Sequence, residues 1–144
     1  MMGRRKSFGA LVGLALLLMV VNLAEARRAG GSSGSSADCR KKISLAATSA
    51  GAAIDSSGTA EVRAQGAKQR FKVSMDARVA DGTTFAVFAN GQLAGVITIE
   101  LGDGELELNN NNGKTLPDGV NPVCAISTVE VTDGSNLILH GNFF

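Results

Sequence analysis

From Arg70 to Val79 the chain alternates without a break. Phe71, Val73, Met75, Ala77 and Val79 are apolar, and Arg70, Lys72, Ser74, Asp76 and Arg78 stand between them. A period of two sends successive side chains to opposite faces of an extended backbone, so this segment predicts a strand with one face in a core and the other in water. Such a strand needs partners at its edges and a cover for its apolar face. The rest of the chain supplies both. Upstream, Ile43 to Ala47 and Thr59 to Gln65 read as strands, separated by a small-residue connection around Gly51 to Gly58. The Ala-rich stretch Ala46 to Ile54 offers a short helix as the alternative. It ranks second because Thr48, Ser49 and Gly51 interrupt it.

Downstream, Thr84 to Ala89 and Leu93 to Leu101 flank Asn90-Gly91, a dipeptide suited to a two-residue hairpin turn, which sets Phe88 opposite Leu93. Both faces of Phe85 to Phe88 are apolar, which predicts a central strand. Asp103-Gly104 reads as the next turn, with Leu101 opposite Leu106 and Ile99 opposite Leu108. Alternation then stops from Asn109 to Pro122, a polar loop whose main apolar residues are Leu116 and Val120. Ser127 to Thr132 and Ser135 to Phe144 close the chain around Asp133-Gly134. About eight short strands with glycine-containing turns predict an all-β fold, a single antiparallel β-sandwich or a compact barrel.

The first residues are of another kind. Arg4-Arg5-Lys6 precedes an apolar run from Ala10 to Val21, which ends at Ala24-Glu25-Ala26. That order is a signal helix with a small-x-small cleavage site, so 1–26 is expected to be a signal peptide cut after Ala26. A spanning helix needs about 20 apolar residues, more than this run has, so no membrane span is expected in the mature chain. Residues 27–38 are a flexible Gly/Ser-rich leader and 39–144 the folded domain. The expected location is secreted or periplasmic.

Losing Arg4, Arg5, Lys6 and Glu25 from 14 basic and 13 acidic residues leaves 11 against 12. A nearly neutral domain has no electrostatic case for nucleic acid. Cys39 and Cys124, the two cysteines, both fall in the exported part, where an even count predicts a disulfide.

Further likeness lies in Ala80-Asp81-Gly82-Thr83, Phe85 to Gly91, Gly95 to Ile99, Gly102-Asp103-Gly104-Glu105-Leu106-Glu107-Leu108, Leu116-Pro117 and His140-Gly141-Asn142-Phe143. In these residues the chain resembles a group of small secreted bacterial β-domains, over about Ile43 to Phe144. Because the pattern is mostly glycines and alternating apolar positions, the resemblance implies a fold and carries no activity. The two cysteines and the loop with Asn109 to Asn112 are additions to it.

Chemistry is sparse. His140 is the sole histidine, too few for a multi-histidine zinc site, and no motif provides a nucleophile for a triad. Asp81, Asp103, Asp118 and Asp133 each precede glycine. They lack the oxygen spacing of a calcium loop and read as turn residues. The proposed hairpin places Glu100 opposite Glu107 with Glu105 nearby, a like-charge arrangement that a neighbouring basic strand, a divalent cation or a basic partner would offset. Sugar stacking is disfavoured, since the chain has no Trp or Tyr and Phe71, Phe85 and Phe88 read as buried. Phe143 and Phe144 are left as displayed aromatics. Strand length and the missing aromatic girdles count against an outer-membrane barrel.

The expectation is an exported, non-enzymatic β-domain with a structural or protein-interaction role and no cofactor. Its partner would be another envelope or extracellular protein, met through Glu100, Glu105, Glu107, Phe143 or Phe144. The alternatives are a cation-dependent hydrolase with a dispersed site of Glu100, Glu107, Asp76 and His140, or a weak calcium-binding adhesion-type module.

Overall fold

The computed structural model describes residues 38–143. The expected signal peptide, the leader as far as residue 37 and Phe144 lie outside the described residues.

Eight strands form: β1 (Cys39–Ala47), β2 (Ser57–Gln65), β3 (Lys68–Asp76), β4 (Thr84–Ala89), β5 (Gln92–Thr98), β6 (Asp103–Asn109), β7 (Thr128–Thr132) and β8 (Leu137–Asn142). All pair antiparallel, in the order β5-β4-β7-β8-β1-β2-β3-β6. The two strands at the ends of that order are consecutive in the chain. Glu100 and Asp103 exchange backbone hydrogen bonds of 2.9 and 3.2 Å around Leu101-Gly102, so the sheet curls until its edges meet. The result is a nearly closed barrel, as the all-β expectation allowed.

Closure depends on two glycines where the edges approach. A Cβ on Gly104 would lie 2.5 Å from the Thr98 carbonyl oxygen, and one on Gly95 would lie 2.8 Å from the Leu106 side chain. Backbone and side chain therefore meet across the seam where any larger residue would force them apart.

The barrel has two halves. In one, β1, β2, β3 and β6 pair in continuous register; in the other, β5, β4, β7 and β8 pair with register shifts between Val87 and Phe88 and between Val131 and Thr132. Besides the β5–β6 turn, the halves are joined by the pairs Ala46↔His140 and Ala47↔Leu139 at one end of β1. The other end of β1 carries Cys39, bonded to Cys124 with Cα atoms 5.9 Å apart. Cys124 lies in a 3-10 turn, Val123–Ala125, just before β7. The bridge thus ties the halves where strand pairing does not.

Inward residues alternate as the sequence predicts. Phe71, Val73, Met75 and Ala77 are buried, and Phe85, Val87, Ile97, Ile99, Val129, Val131 and Leu139 complete one core. The loop after β6 packs Leu116, Val120, Val123 and Ile126 into the same core. Gln69 and Asn110 strap this loop to the β2–β3 hairpin. Gln69 Oε1 accepts from Val123 N at 2.8 Å, and Asn110 Oδ1 accepts from Gln69 N at 2.8 Å.

Several expectations need correction. The turn between β5 and β6 falls at Leu101-Gly102, and Asp103-Gly104 begins β6. The connection after β1 contains a helix, α1 (Ser49–Ala53), capped by Thr48, whose Oγ1 accepts from Gly51 N. Gly51 interrupts helical propensity but is needed for packing, because a Cβ there would strike the Ile138 carbonyl oxygen. Phe143 is buried at 3% exposure, with its N–H bonded to Ser127 O. Phe88 is only half-buried, because it points to the outer face.

Candidate functional site

Strand register sorts the outer side chains of β1, β2, β3 and β6 into rows across the half-barrel. At one end Arg40, Arg63, Arg70 and Asn109 stand side by side. The next row alternates in sign as Lys42, Glu61, Lys72 and Glu107. Then come Ser44, Thr59, Ser74 and Glu105, and finally Ser57, Asp76 and Asp103. The face therefore grades from basic to acidic along the strands. Arg70 pairs with Glu61 at 2.7 Å and Lys72 with Glu105 at 3.1 Å. Such partly exposed pairs contribute little each, and they tie the rows diagonally.

This placement answers the acidic-strand question raised by the sequence. Glu107 stands opposite Lys72, Glu105 is bonded to Lys72, and Glu100 faces Asp103 at the turn. The Glu100–Glu107 opposition does not form, because the turn lies two residues earlier than expected. A basic neighbouring strand is what β6 meets.

An open groove of about 560 Å³ crosses the acidic end, lined by Ser44, Thr59, Ser74, Asp76, Asp103 and Glu105 among others. Asp76 is the one member of the dispersed hydrolase set that lines it. Glu100 and Glu107 lie outside it, and His140 is exposed on β8 opposite Glu130. Among the described residues no three His, Cys, Asp or Glu side chains gather closely enough to hold a metal ion.

The Asp-Gly pairs have separate local roles. Asp81 Oδ1 accepts from Leu101 N at 2.8 Å and so supports the β5–β6 turn. Asp118 begins a 3-10 turn, Asp118–Val120. Asp133 accepts from the backbone N–H groups of Asn136 and Ser135, at 2.7 and 2.8 Å. Those bonds, the one from Asn136 foremost, hold its carboxyl below the ordinary aspartate range.

The outer surface of the second half is different. Phe88 lies opposite Leu93 and Ala86 opposite Val96 on the outside of β4 and β5. Leu93 is 55% exposed, Val96 52% and Leu101 91%. They are the exposed large hydrophobics among the described residues, and they fall on one strand and its turn. Sequence reading missed them. Leu93 shares parity with Ile97 and Ile99, so a regular strand would bury it. The register shift between Val87 and Phe88 inserts Ala94 and turns Leu93 outward. Val96 was the available signal, since it is apolar on the face opposite Ile97 and Ile99.

Leu101 is unusual in its backbone as well. Its φ is 54° and that of Gly102 is 85°. Two positive φ values are what a type I′ hairpin turn requires, and Asn or Gly meets that demand with less strain than leucine. Asp81 holds Leu101 N, and Gly102 O accepts from Ala77 N at 2.9 Å, so the turn is fixed from both sides.

The chain matches no family model, no curated protein sequence and no solved structure.

Proposed function

We propose that this chain is an exported, non-enzymatic β-barrel module, secreted or periplasmic, whose apolar outer β4–β5 face docks a protein of the envelope or extracellular space. The observation that carries this reading is Leu101. An apolar side chain that is 91% exposed and held at positive φ gives the fold nothing that Asn or Gly would not supply better. Strained, exposed positions of this kind gather at contact sites. Leu93 and Val96 extend the apolar character along the same strand, and exposed apolar patches mark interaction surfaces. Neither β4 nor β5 bears a charged side chain, so nothing on this outer face opposes an apolar contact.

The reading is tested by photo-crosslinking in the native host, with the reactive residue at Val96 and, as a control, at Ser44. Crosslinks to a discrete protein from position 96 that are lost with Leu93→Ser support it. Absence of crosslinks at 96, or the same products from 44, overturns it.

A second reading, a weak cation-binding adhesion-type module, rests on Asp76 opposite Asp103 at the acidic groove, although among the described residues no three carboxylates gather closely enough to hold a metal ion. Calcium should then raise the melting temperature and EDTA reverse it. No shift with either removes this reading. The hydrolase alternative has less support, since only Asp76 of its four residues reaches the groove.

A further inference from the structure

The basic end of the first half-barrel breaks the charge pattern of the rest of that face. Arg40, Arg63 and Arg70 stand directly opposite one another on β1, β2 and β3. Opposed residues in an antiparallel pair have Cβ atoms about 5 Å apart, and like charges at that separation oppose folding. One row away the same strands avoid the problem by alternating Lys42, Glu61, Lys72 and Glu107. Glu61 neutralises Arg70 at 2.7 Å. Arg40 and Arg63 have no ion pair among the described residues.

Beside this row is a recess of about 150 Å³, lined by Arg63, Gln65, Lys68, Gln69, Arg70 and Asn111. Three cations and three amides line it, with no carboxylate. The adjoining hollow brings in Arg40 and also Asp38, whose Oδ1 accepts from Gly66 N at 2.8 Å. The walls are fixed independently of any ligand. Gln69 holds Val123 N and donates to Asn121 Oδ1 at 3.2 Å, while Asn110 Nδ2 donates to Ala67 O at 2.7 Å. The exposed side chains of Arg63 and Lys68 stand at the mouth of this fixed floor, free to close on an acceptor.

We infer that this recess binds a tetrahedral oxyanion, a phosphate or sulfate group carried by a small molecule or a sugar. The guanidinium of Arg63 supplies a planar pair of N–H donors suited to two oxygens of such a group, and Lys68 adds a point charge. The bound anion offsets the repulsion that the arginine row builds into the sheet. Recess size and overall charge favour a discrete group. The space is small, and the whole chain carries a net charge of only +1, so long-range attraction to a polyelectrolyte is absent. The recess is lined from β2, β3 and the loop after β6, and it does not depend on the protein contact proposed on the β4–β5 face.

Titrating sodium phosphate, sodium sulfate and a sulfated disaccharide into the purified protein at low salt, with amide resonances of Arg63, Lys68 and Asn111 followed by NMR, tests the inference. Saturable shifts confined to that end are expected. Arg63→Gln should weaken binding about ten-fold, the equivalent of one lost charge-assisted hydrogen bond. Lys72→Gln, which lies outside the recess, should leave the affinity unchanged. Arg63→Gln should also raise the melting temperature without anion and abolish the further rise that phosphate gives the wild type. Saturation by phosphate alone identifies a phosphate site, and saturation by the disaccharide identifies a sulfate ester on a sugar. Non-saturating shifts with every probe, or equal affinity in Arg63→Gln, overturn the inference.

Discussion

The two half-barrels present similar faces to the core and opposite faces to the surroundings. Inside, Phe71 and Val73 of one half meet the same core as Phe85 and Val87 of the other. Outside, β1, β2, β3 and β6 carry ordered rows of charge and hydroxyl groups, whereas β4 and β5 show Phe88, Leu93 and Val96. Burial selects inward residues by one criterion, exclusion of water, so the halves converge there. Nothing in folding demands an apolar outer face on one half alone. On the proposed function, the asymmetry reflects what each surface meets.

The comparison can be broken most severely at the core. Phe71→Ala and Phe85→Ala should each cost about 3–5 kcal/mol, and each should lower the stability of the whole barrel in a single transition. Denaturant unfolding followed at probes in both halves checks this. Two separated transitions would show that the halves are independent units.

Removing the Cys39–Cys124 bridge by a double alanine substitution should cost up to about 4 kcal/mol, since the bridge closes a separation of 85 residues. Urea unfolding of the variant against the oxidised wild type measures it. Because β1 and β8 pair only at Ala46 and Ala47, amide exchange should accelerate most in Cys39 to Leu45 and the Val123–Ala125 turn. Uniform acceleration would mean that the bridge does not join the halves in the way described.

The turn linking the halves predicts a smaller change of opposite sign. Leu101→Asn should stabilise by about 1 kcal/mol by relieving the positive-φ strain, while removing the proposed contact residue. A shift of the denaturant midpoint to higher concentration is expected. Destabilisation would show that the leucine side chain packs in the fold and would remove its use as evidence for docking.

The smallest effect concerns Asp133 in the β7–β8 turn. Its folded-state pKa is lowered, so the ionised form adds stability above the unfolded value, and that increment is lost as pH falls through the folded pKa. Wild type should exceed Asp133→Ala in melting temperature near neutrality, and the difference should shrink on acidification below the ordinary aspartate range. A difference that grows with acid would contradict the backbone bonds assigned to this carboxylate.

Much of the fold is legible from the residues. Alternation finds β3, Asn90-Gly91 gives the β4–β5 hairpin with Phe88 opposite Leu93, and the loop anchors Leu116 and Val120 are buried. The β5–β6 turn is misplaced for a specific reason. Moving a turn by two residues shifts each cross-strand partner by four, and every side chain keeps its face, so alternation is blind to the error. What sets the register is the continuous pairing of Asp103 to Asn109 with β3. That pairing separates Glu100 from Glu107 and dissolves the acidic site the sequence suggests.

Phe143, Leu93 and the arginine row show the same boundary. Phe143 gives no sign in sequence that it enters the core, and a single inserted residue reverses Leu93 without changing the local composition. Arg40, Arg63 and Arg70 are remote from one another along β1, β2 and β3, and only register aligns them. The sequence by itself determined the class of fold, the alternating inward residues of β3 and the two cysteines available to bond, because periodicity and residue chemistry act locally. The tertiary structure decided register, closure of the barrel and the composition of each outer face. Those depend on which distant strand supplies the hydrogen bonds, a choice settled by the whole core at once.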